Sequence, residues 1–153
     1  MNSSSASAPI SVVLVDDSED LLLLVRGSLE RSGRFRILAE AGDGQQGVDA
    51  VRAWHPELVL LDIAMPVMDG LQALALIREE RPEAVVVMLS AFDDSSGMPQ
   101  RAMAMGASGY IHKDGRIQAI PEQLCMIVRG ATAERAARSA RGADTPGQPV
   151  GGA

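Results

Sequence analysis

Three carboxylates directly follow two short apolar segments of this sequence. Asp16 and Asp17 come after the run 10–15, and Asp62 comes after the run 58–61. Apolar runs of this length, separated by stretches of helical periodicity, are typical of buried strands in a parallel sheet. Ligands of such sheets bind beyond the carboxyl ends of the strands. The three carboxylates are therefore expected to meet at one edge of one sheet.

A hydroxyl and an ammonium group occupy the same kind of position. Ser90 follows the apolar run 84–89, and Lys113 follows the shorter run 110–112. Both side chains are expected at the same sheet edge as the carboxylates, and this convergence is the main functional signal in the chain. The alternative for Ser90 is a turn contact with its own backbone.

The adjacent carboxylates of Asp16 and Asp17, facing Asp62, would repel one another, and without a cation one of them would tend to stay protonated. Ligands that are all oxygen indicate Mg²⁺ or Mn²⁺ rather than zinc, which prefers Cys and His. The alternative reading is that Asp16 and Asp17 only cap the following helix, a task that needs a single residue.

Composition excludes several classes of protein. A net charge of -6 argues against a surface that neutralises nucleic-acid phosphates. No apolar stretch approaches the roughly 18 residues of a membrane span, and residues 1–9 lack the features of a signal peptide. The single cysteine, Cys125, predicts a buried, unreactive thiol in a reducing compartment. His55 and His112 have no metal-ligand spacing. The charge, the absence of a membrane span and the single cysteine together predict a cytoplasmic protein without nucleic-acid or membrane contact.

Strand and helix patterns alternate along the chain in the order βαβαβαβαβα. This order predicts the α/β class, with a five-stranded, doubly wound parallel sheet and right-handed crossovers. The second strand, 35–41, carries charged residues that favour an edge position. The fourth helix is predicted to be short, about 99–105, with Gly106 as a left-handed cap. Pro121 is predicted to start the last helix.

A length of 153 residues corresponds to about one domain. We predict a disordered lead-in over residues 1–9, a single domain over 10–130, and a flexible tail over 131–153. The tail is first rich in Ala and Arg and then in Gly and Pro. Residues 133–141 have the composition for a helical turn or two, but no second core or DNA-binding domain is expected in this chain.

Five motifs stand in order at the predicted strand ends and in the turns after them: Asp16-Asp17, Asp62, Met65-Pro66 with Asp69-Gly70, Ser90-Ala91 and Lys113. Together they resemble the receiver domain of response regulators. The resemblance implies the flavodoxin-like, CheY-like (βα)5 fold. It also implies a phosphorylation-controlled interaction module or relay of a two-component system, rather than a conventional enzyme.

The resemblance also implies residue roles. Asp62 would be the nucleophile that takes a phosphoryl group from a phosphohistidine of a histidine kinase or phosphotransfer protein. Asp17, Asp62 and the backbone carbonyl of Ala64 would bind the metal directly, and Asp16 would bind it through water. Lys113 would stabilise the charge that spreads over the transferring oxygens.

Ser90 and Tyr110 match the family's switch pair. The Ser90 hydroxyl would bond a phosphoryl oxygen, with space left by the small Ala91, and the Tyr110 ring would change rotamer in response. The surface made by the fourth helix, fifth strand and fifth helix would then bind a protein target, and homodimerisation through it stays open.

Two alternatives of other classes remain. The segment 106–114, in which Lys113 is followed by Asp, is similar to receivers of the LuxR-type output class, so the chain would be a fragment of a transcriptional regulator without its DNA-binding domain. The other is an aspartyl-phosphate hydrolase of the haloacid-dehalogenase kind. That family has Asp-x-Asp at a strand end, whereas Ser18 and Ala64 stand where the second carboxylate would be.

Overall fold

The computed structural model describes residues 8–143, which form one parallel sheet with helices on both faces. The strands are β1 (Ile10–Val15), β2 (Phe35–Ala41), β3 (Leu58–Leu61), β4 (Val85–Ser90) and β5 (Gly109–His112). Their order in the sheet is β2-β1-β3-β4-β5, and every pair is parallel. The predicted fold is confirmed, with the fully apolar β3 at the centre and the charged β2 at an edge.

The helices connect successive strands. They are α1 (Glu19–Ser32), α2 (Gly44–Trp54), α3 (Gly70–Glu80), α4 (Met98–Ala104) and α5 (Ile120–Ala143). Short 3-10 turns at Asp94–Ser96 and Ile117–Ala119 precede α4 and α5. The predicted short α4 is present, and Gly106 just beyond it has a φ of 106°.

Alternate residues of the strands face two separate cores. Val13 and Val15 of β1 pack with α2, α3 and α4, whereas Val12 and Leu14 pack with α1 and α5. All four side chains are at most 2% exposed. Because both faces are covered, the central strands are apolar throughout, and their polar residues are confined to their ends.

Helix α5 runs thirteen residues beyond the boundary predicted at residue 130. The segment 131–143, which was predicted to belong to a flexible tail, is therefore helical. Its Ala and Arg residues have high helix propensity, and Arg135 anchors it by donating a hydrogen bond to the carbonyl of Glu83. The predicted lead-in before residue 8 and the Gly/Pro-rich end after residue 143 lie outside the described residues. Within 8–143, no helix is long and apolar enough to cross a membrane.

Candidate functional site

The carboxyl ends of β1 and β3 bring two buried aspartates side by side. Val15 pairs with Leu61 in the sheet, so Asp16 and Asp62, the next residues, emerge together. The backbone N–H of Asp62 donates to the Val15 carbonyl at 2.9 Å. Each aspartate is only 3% exposed. Parallel pairing of two apolar strands thus forces two carboxylates into one small volume.

Asp17 completes a cluster of three acidic side chains. One carboxylate oxygen from each of Asp16, Asp17 and Asp62 lies within 4.8 Å of the other two, and Asp17 is exposed to solvent. The capping role belongs to another residue, because the Ser18 hydroxyl accepts the hydrogen bond from the Leu21 N–H at 3.2 Å. Neither Asp16 nor Asp17 is the N-cap of α1, so capping does not account for the pair.

Lys113 supplies the positive charge of the site. Its Nζ lies 2.9 Å from Asp16 Oδ2 and 3.1 Å from Asp62 Oδ1. The backbone fixes its position, since the Lys113 N–H donates to the Ser90 carbonyl at 2.8 Å. The side chain is 22% exposed, so little water screens it from the carboxylates. One ammonium therefore contacts two of the three acidic groups.

This imbalance raises the pKa of Asp62 to about 6. Burial is the largest cause, the Asp16 charge adds to it, and Lys113 opposes both without cancelling them. Burial likewise opposes the charge on Lys113, but the two buried carboxylates outweigh it and raise the pKa of Lys113. Burial therefore dominates the pKa shift of Asp62, whereas the neighbouring carboxylates determine that of Lys113.

A divalent cation fits this arrangement. Asp16 Oδ2 is buried and, among the described residues, accepts no well-directed hydrogen bond, so its contact with Lys113 is an ion pair alone. The carbonyl oxygen of Ala64, two residues after Asp62, also accepts no hydrogen bond from any described residue. Carboxylate and carbonyl oxygens are the ligands of hard cations. The cluster could therefore hold a metal ion.

The turn after Asp62 is held against α2 and α3. The Gly70 N–H donates to the Ile63 carbonyl at 2.7 Å, and the Gly44 N–H donates to the Met68 carbonyl at 3.0 Å. A methyl group on Gly70 would overlap the carbonyl oxygen of Asp62, and one on Gly44 would overlap that of Met68. Both glycines therefore permit a close backbone approach that fixes the position of the Asp62 carboxylate. The sequence had indicated these glycines only as the starts of helices.

Ser90 and Tyr110 both form hydrogen bonds with the backbone of Phe92, the residue that follows Ala91. Ser90 is 1% exposed at the end of β4, and its hydroxyl accepts the Phe92 N–H at 3.2 Å. The half-buried Tyr110 on β5 donates its hydroxyl to the Phe92 carbonyl at 3.0 Å. Ser90 thus makes the turn contact that stood as its alternative role. Sequence reasoning missed Phe92, because its part is played by backbone atoms that leave no side-chain signal.

The two histidines lie away from the acidic cluster's ligands. His55 ends α2 in a left-handed conformation at φ 48°. His112 Nε2 lies 3.3 Å from Asp94 Oδ1, and its ring stands 5.1 Å from that of Tyr110. Neither histidine belongs to the cluster of Asp16, Asp17 and Asp62. That cluster is the group of possible metal ligands found among residues 8–143.

Parallel five-stranded sheets with an acidic cluster and a lysine at the strand ends define a class of signalling domain, and comparison with known proteins agrees. The model of the response regulator receiver domain family matches residues 12–124. The chain therefore belongs to that family.

Two relatives illustrate the match. A protein-glutamate methylesterase/protein-glutamine glutaminase of Azospirillum brasilense is 34% identical over 93% of this chain and 38% of its own length. The chemotaxis protein CheY of Halobacterium salinarum is 38% identical over 67% of this chain and 82% of its own length. The chain spans well under half the length of the methylesterases that it matches.

Two solved structures are similar in fold. The signal receiver domain of the response regulator NarL from Mycobacterium tuberculosis has a TM-score of 0.75 and 31% identity, covering 81% of this chain and 99% of that one. The CheX-CheY-BeF3-Mg complex from Borrelia burgdorferi has a TM-score of 0.72 and 28% identity, covering 78% and 89%. The domain is thus a response-regulator receiver, as the sequence motifs predicted.

Proposed function

We propose that Asp62 is the phosphoacceptor of this receiver and that Lys113 and Ser90 assist the transfer. The observation that carries the proposal is the 3.1 Å contact between Lys113 Nζ and a carboxylate at the end of the central strand. Asp17 has no such ammonium partner among the described residues. Asp16 already accepts the Ser18 N–H at Oδ1, 2.9 Å, and faces Lys113 with Oδ2. Asp62 is the carboxylate best placed to react.

The transfer of the phosphoryl group is a substitution at phosphorus. A carboxylate oxygen of Asp62 forms a bond to the phosphorus of a phosphohistidine, and the phosphorus–nitrogen bond breaks. The bonding electron pair stays on the imidazole nitrogen of the donor, which leaves as neutral imidazole after taking a proton from solvent. The ammonium of Lys113 would lie beside the transferring oxygens as negative charge gathers on them, and it would stabilise the transition state more than the ground state. Ser90 would donate its hydroxyl to one of those oxygens.

Asp16, Asp17, Asp62 and the Ala64 carbonyl would hold Mg²⁺ or Mn²⁺. When bound, the cation supplies positive charge that offsets both the carboxylates and the phosphoryl oxygens. The buried carboxylates of Asp16 and Asp62, which share the single ammonium of Lys113, support this assignment. The solved complex of a related CheY with BeF3 and Mg supports it as well.

The donor would be a histidine kinase or a phosphotransfer protein. The target would bind the surface of α4, β5 and α5, since Tyr110 lies on β5 and links it to Phe92 at the start of the α4 segment. We propose a cytoplasmic interaction module whose activity is its own phosphorylation and dephosphorylation. The same proposal includes homodimerisation through this surface.

A receiver attached to an effector is the second candidate. The transcriptional regulatory protein DegU of Brevibacillus brevis is 29% identical over 85% of this chain and 55% of its own length. The methylesterase relatives extend further still beyond the matched part. These proportions support a phosphorylation switch that controls another domain. An aspartyl-phosphate hydrolase is not favoured, since no second carboxylate follows Asp62 at position 64.

Intact-mass spectrometry after incubation with acetyl phosphate and Mg²⁺ tests the proposal. The wild-type chain should gain one phosphoryl group, and Asp62→Asn should gain none. Asp49→Asn is the matched control, because Asp49 is an exposed carboxylate on α2. A stable gain in Asp62→Asn under the same conditions would assign the phosphoryl group to another residue.

A further inference from the structure

A groove of about 570 Å³ opens at the pole of the molecule opposite the acidic cluster. Its walls come from the amino ends of β4 and β5, from the ends of α3 and α4, and from α5, and they include Ala84, Ser108 and Gly130. The candidate phosphorylation site lies at the carboxyl ends of the strands, so the groove does not overlap it. No residue of the proposed transfer chemistry lines it.

The groove is basic in an acidic chain. Three guanidinium groups, Arg78, Arg135 and Arg138, line it together with one carboxylate, Glu134. Three positive charges and one negative charge give a local charge of +2, whereas the whole chain carries -6. Among residues 8–143, neither Arg135 nor Arg138 forms an ion pair. No described carboxylate neutralises these two charges, although Nη2 of Arg135 already donates to the carbonyl of Glu83.

Arg78 is held rigidly at the base of this arrangement. Its Nη1 donates to the Pro82 carbonyl at 2.9 Å, and its Nη2 donates to the carbonyl of Ala84. Its aliphatic part packs against Gly106, where an added methyl group would lie 3.1 Å from Cδ. Its Nε is buried and has no hydrogen-bond partner among the described residues. Arg78 is thus preorganised rather than mobile.

The buried position of the Arg78 guanidinium carries an electrostatic cost. Burial lowers the pKa of the Arg78 guanidinium, and the charge of Arg135 lowers it further. The nearby Glu83 carboxylate opposes the shift, but it lies 3.6 Å from Arg81 Nε and is shared with that residue. Arginine stays protonated even so, and an incoming anion would relieve the repulsion between the two guanidinium groups.

The lining is not purely charged. Apolar side chains of Met103, Ile127 and Ala107 also line the groove, and Met103 is 47% exposed. A small inorganic anion would leave this apolar surface in water, whereas a peptide with acidic and apolar residues would cover both. Nucleic acid fits poorly, because two exposed arginines cannot track a phosphate backbone in a chain of net charge -6.

The part of α5 beyond the family match builds one wall. The receiver match ends at residue 124, but Glu134, Arg135 and Arg138 belong to the continuation of the helix. Arg135 fixes this continuation to the body of the domain through the carbonyl of Glu83. Without the continuation, the groove would lose two of its three positive charges.

We propose that this groove is a second docking site, which binds a short acidic segment of a partner protein with apolar residues between its carboxylates. The acidic side chains would pair with Arg135 and Arg138 on the rim, and the apolar ones would cover Met103 and Ile127. The site is independent of Asp62, so binding requires no phosphorylation.

Nuclear magnetic resonance titration of the full chain tests the proposal. The probe is a synthetic peptide in which pairs of glutamate and leucine alternate, and its counterpart carries lysine in place of glutamate. The glutamate peptide should shift the amide signals of Gly106, Ser108 and Gly130 saturably, and the lysine peptide should not. Arg138→Glu should weaken binding by about fivefold or more, because an attraction becomes a repulsion.

Arg129→Glu is the matched control, since Arg129 is exposed on the same helix outside the groove and the charge change is identical. It should leave the affinity within about twofold. Circular dichroism establishes that both variants keep α5. Equal weakening in the two variants, shifts confined to other surfaces, full competition by millimolar inorganic phosphate, or self-association through Arg138 would each overturn the proposal.

Discussion

Ser90 and Tyr110 hold the same residue from two neighbouring strands. The Ser90 hydroxyl accepts the Phe92 N–H at 3.2 Å, and the Tyr110 hydroxyl donates to the Phe92 carbonyl at 3.0 Å. The segment that leads from β4 to α4 is therefore fixed at both the backbone N–H and the carbonyl of Phe92. If the Ser90 hydroxyl turns toward a phosphoryl oxygen, the Phe92 N–H loses its acceptor, and the start of the α4 segment is released.

Tyr110→Phe should loosen this segment without phosphorylation. The substitution removes one hydrogen bond to the Phe92 carbonyl, a loss of about 1 kcal/mol, while the ring packing stays. Hydrogen exchange should quicken at residues 92–97 and stay unchanged at residues 62–70. With beryllofluoride and Mg²⁺, the wild type should show the same increase at 92–97. A response limited to 62–70 in the wild type would exclude this route to the α4 surface.

Mg²⁺ should raise the thermal midpoint of unfolding. The folded chain gathers three carboxylate oxygens within 4.8 Å, and a cation that binds only this state stabilises it. Differential scanning fluorimetry across millimolar Mg²⁺ measures the effect. Asp17→Asn should reduce the increase, whereas Asp20→Asn, an exposed neighbour on α1, should retain it. An identical midpoint with and without Mg²⁺ would count against the metal site.

Asp62→Asn should stabilise the metal-free protein at neutral pH. The folded pKa of Asp62 is about 6 against 3.8 for the free group, so the folded state binds this proton more tightly than the unfolded chain does. Ionisation above pH 6 therefore costs stability, on the order of 2 kcal/mol. As pH falls from 6 toward 4, protonation removes that cost.

Urea unfolding of both proteins in chelator at pH 7.5 and pH 4.5 checks the expectation. The difference between variant and wild type should be largest at pH 7.5 and small at pH 4.5, because the other titrating groups cancel in the comparison. Asp43→Ala, which removes the side-chain cap of α2, should instead destabilise the protein at pH 7.5. A difference for Asp62→Asn that does not change with pH would contradict the pKa argument.

Val67→Asn should also stabilise the fold. Val67 has a φ of 68° and is 84% exposed, so a β-branched residue adopts the left-handed conformation without any packing to offset the strain. Asn tolerates this conformation, and the gain should be about 1 kcal/mol. Val67→Ala is the control, because it removes the branching but keeps a Cβ at positive φ, and it should gain less. Equal stability of all three proteins would show that the turn is not strained.

Much of this protein follows from local sequence. Apolar runs that end on Asp16, Asp62 and Ser90 define both the strands and the polar groups at their ends, since a parallel strand buried on both faces excludes charge until it stops. Asp69 marks the start of α3 through its side-chain cap, and Gly33 marks the end of α1 through its left-handed backbone. The alternation of elements then leaves the doubly wound sheet as the natural topology. The family followed from the same strand-end motifs.

Other features were decided only by contacts between distant parts of the chain. The Lys113 ammonium lies between Asp16 and Asp62 because three strands bring their ends together, and the raised pKa of Asp62 is a product of that burial. The continuation of α5 to Ala143, a segment whose composition predicted a tail, contacts the body of the domain through Arg135 and the carbonyl of Glu83. Local sequence sets what each segment can form. Which groups meet, and how strongly they are desolvated, depends on long-range packing that no single stretch encodes.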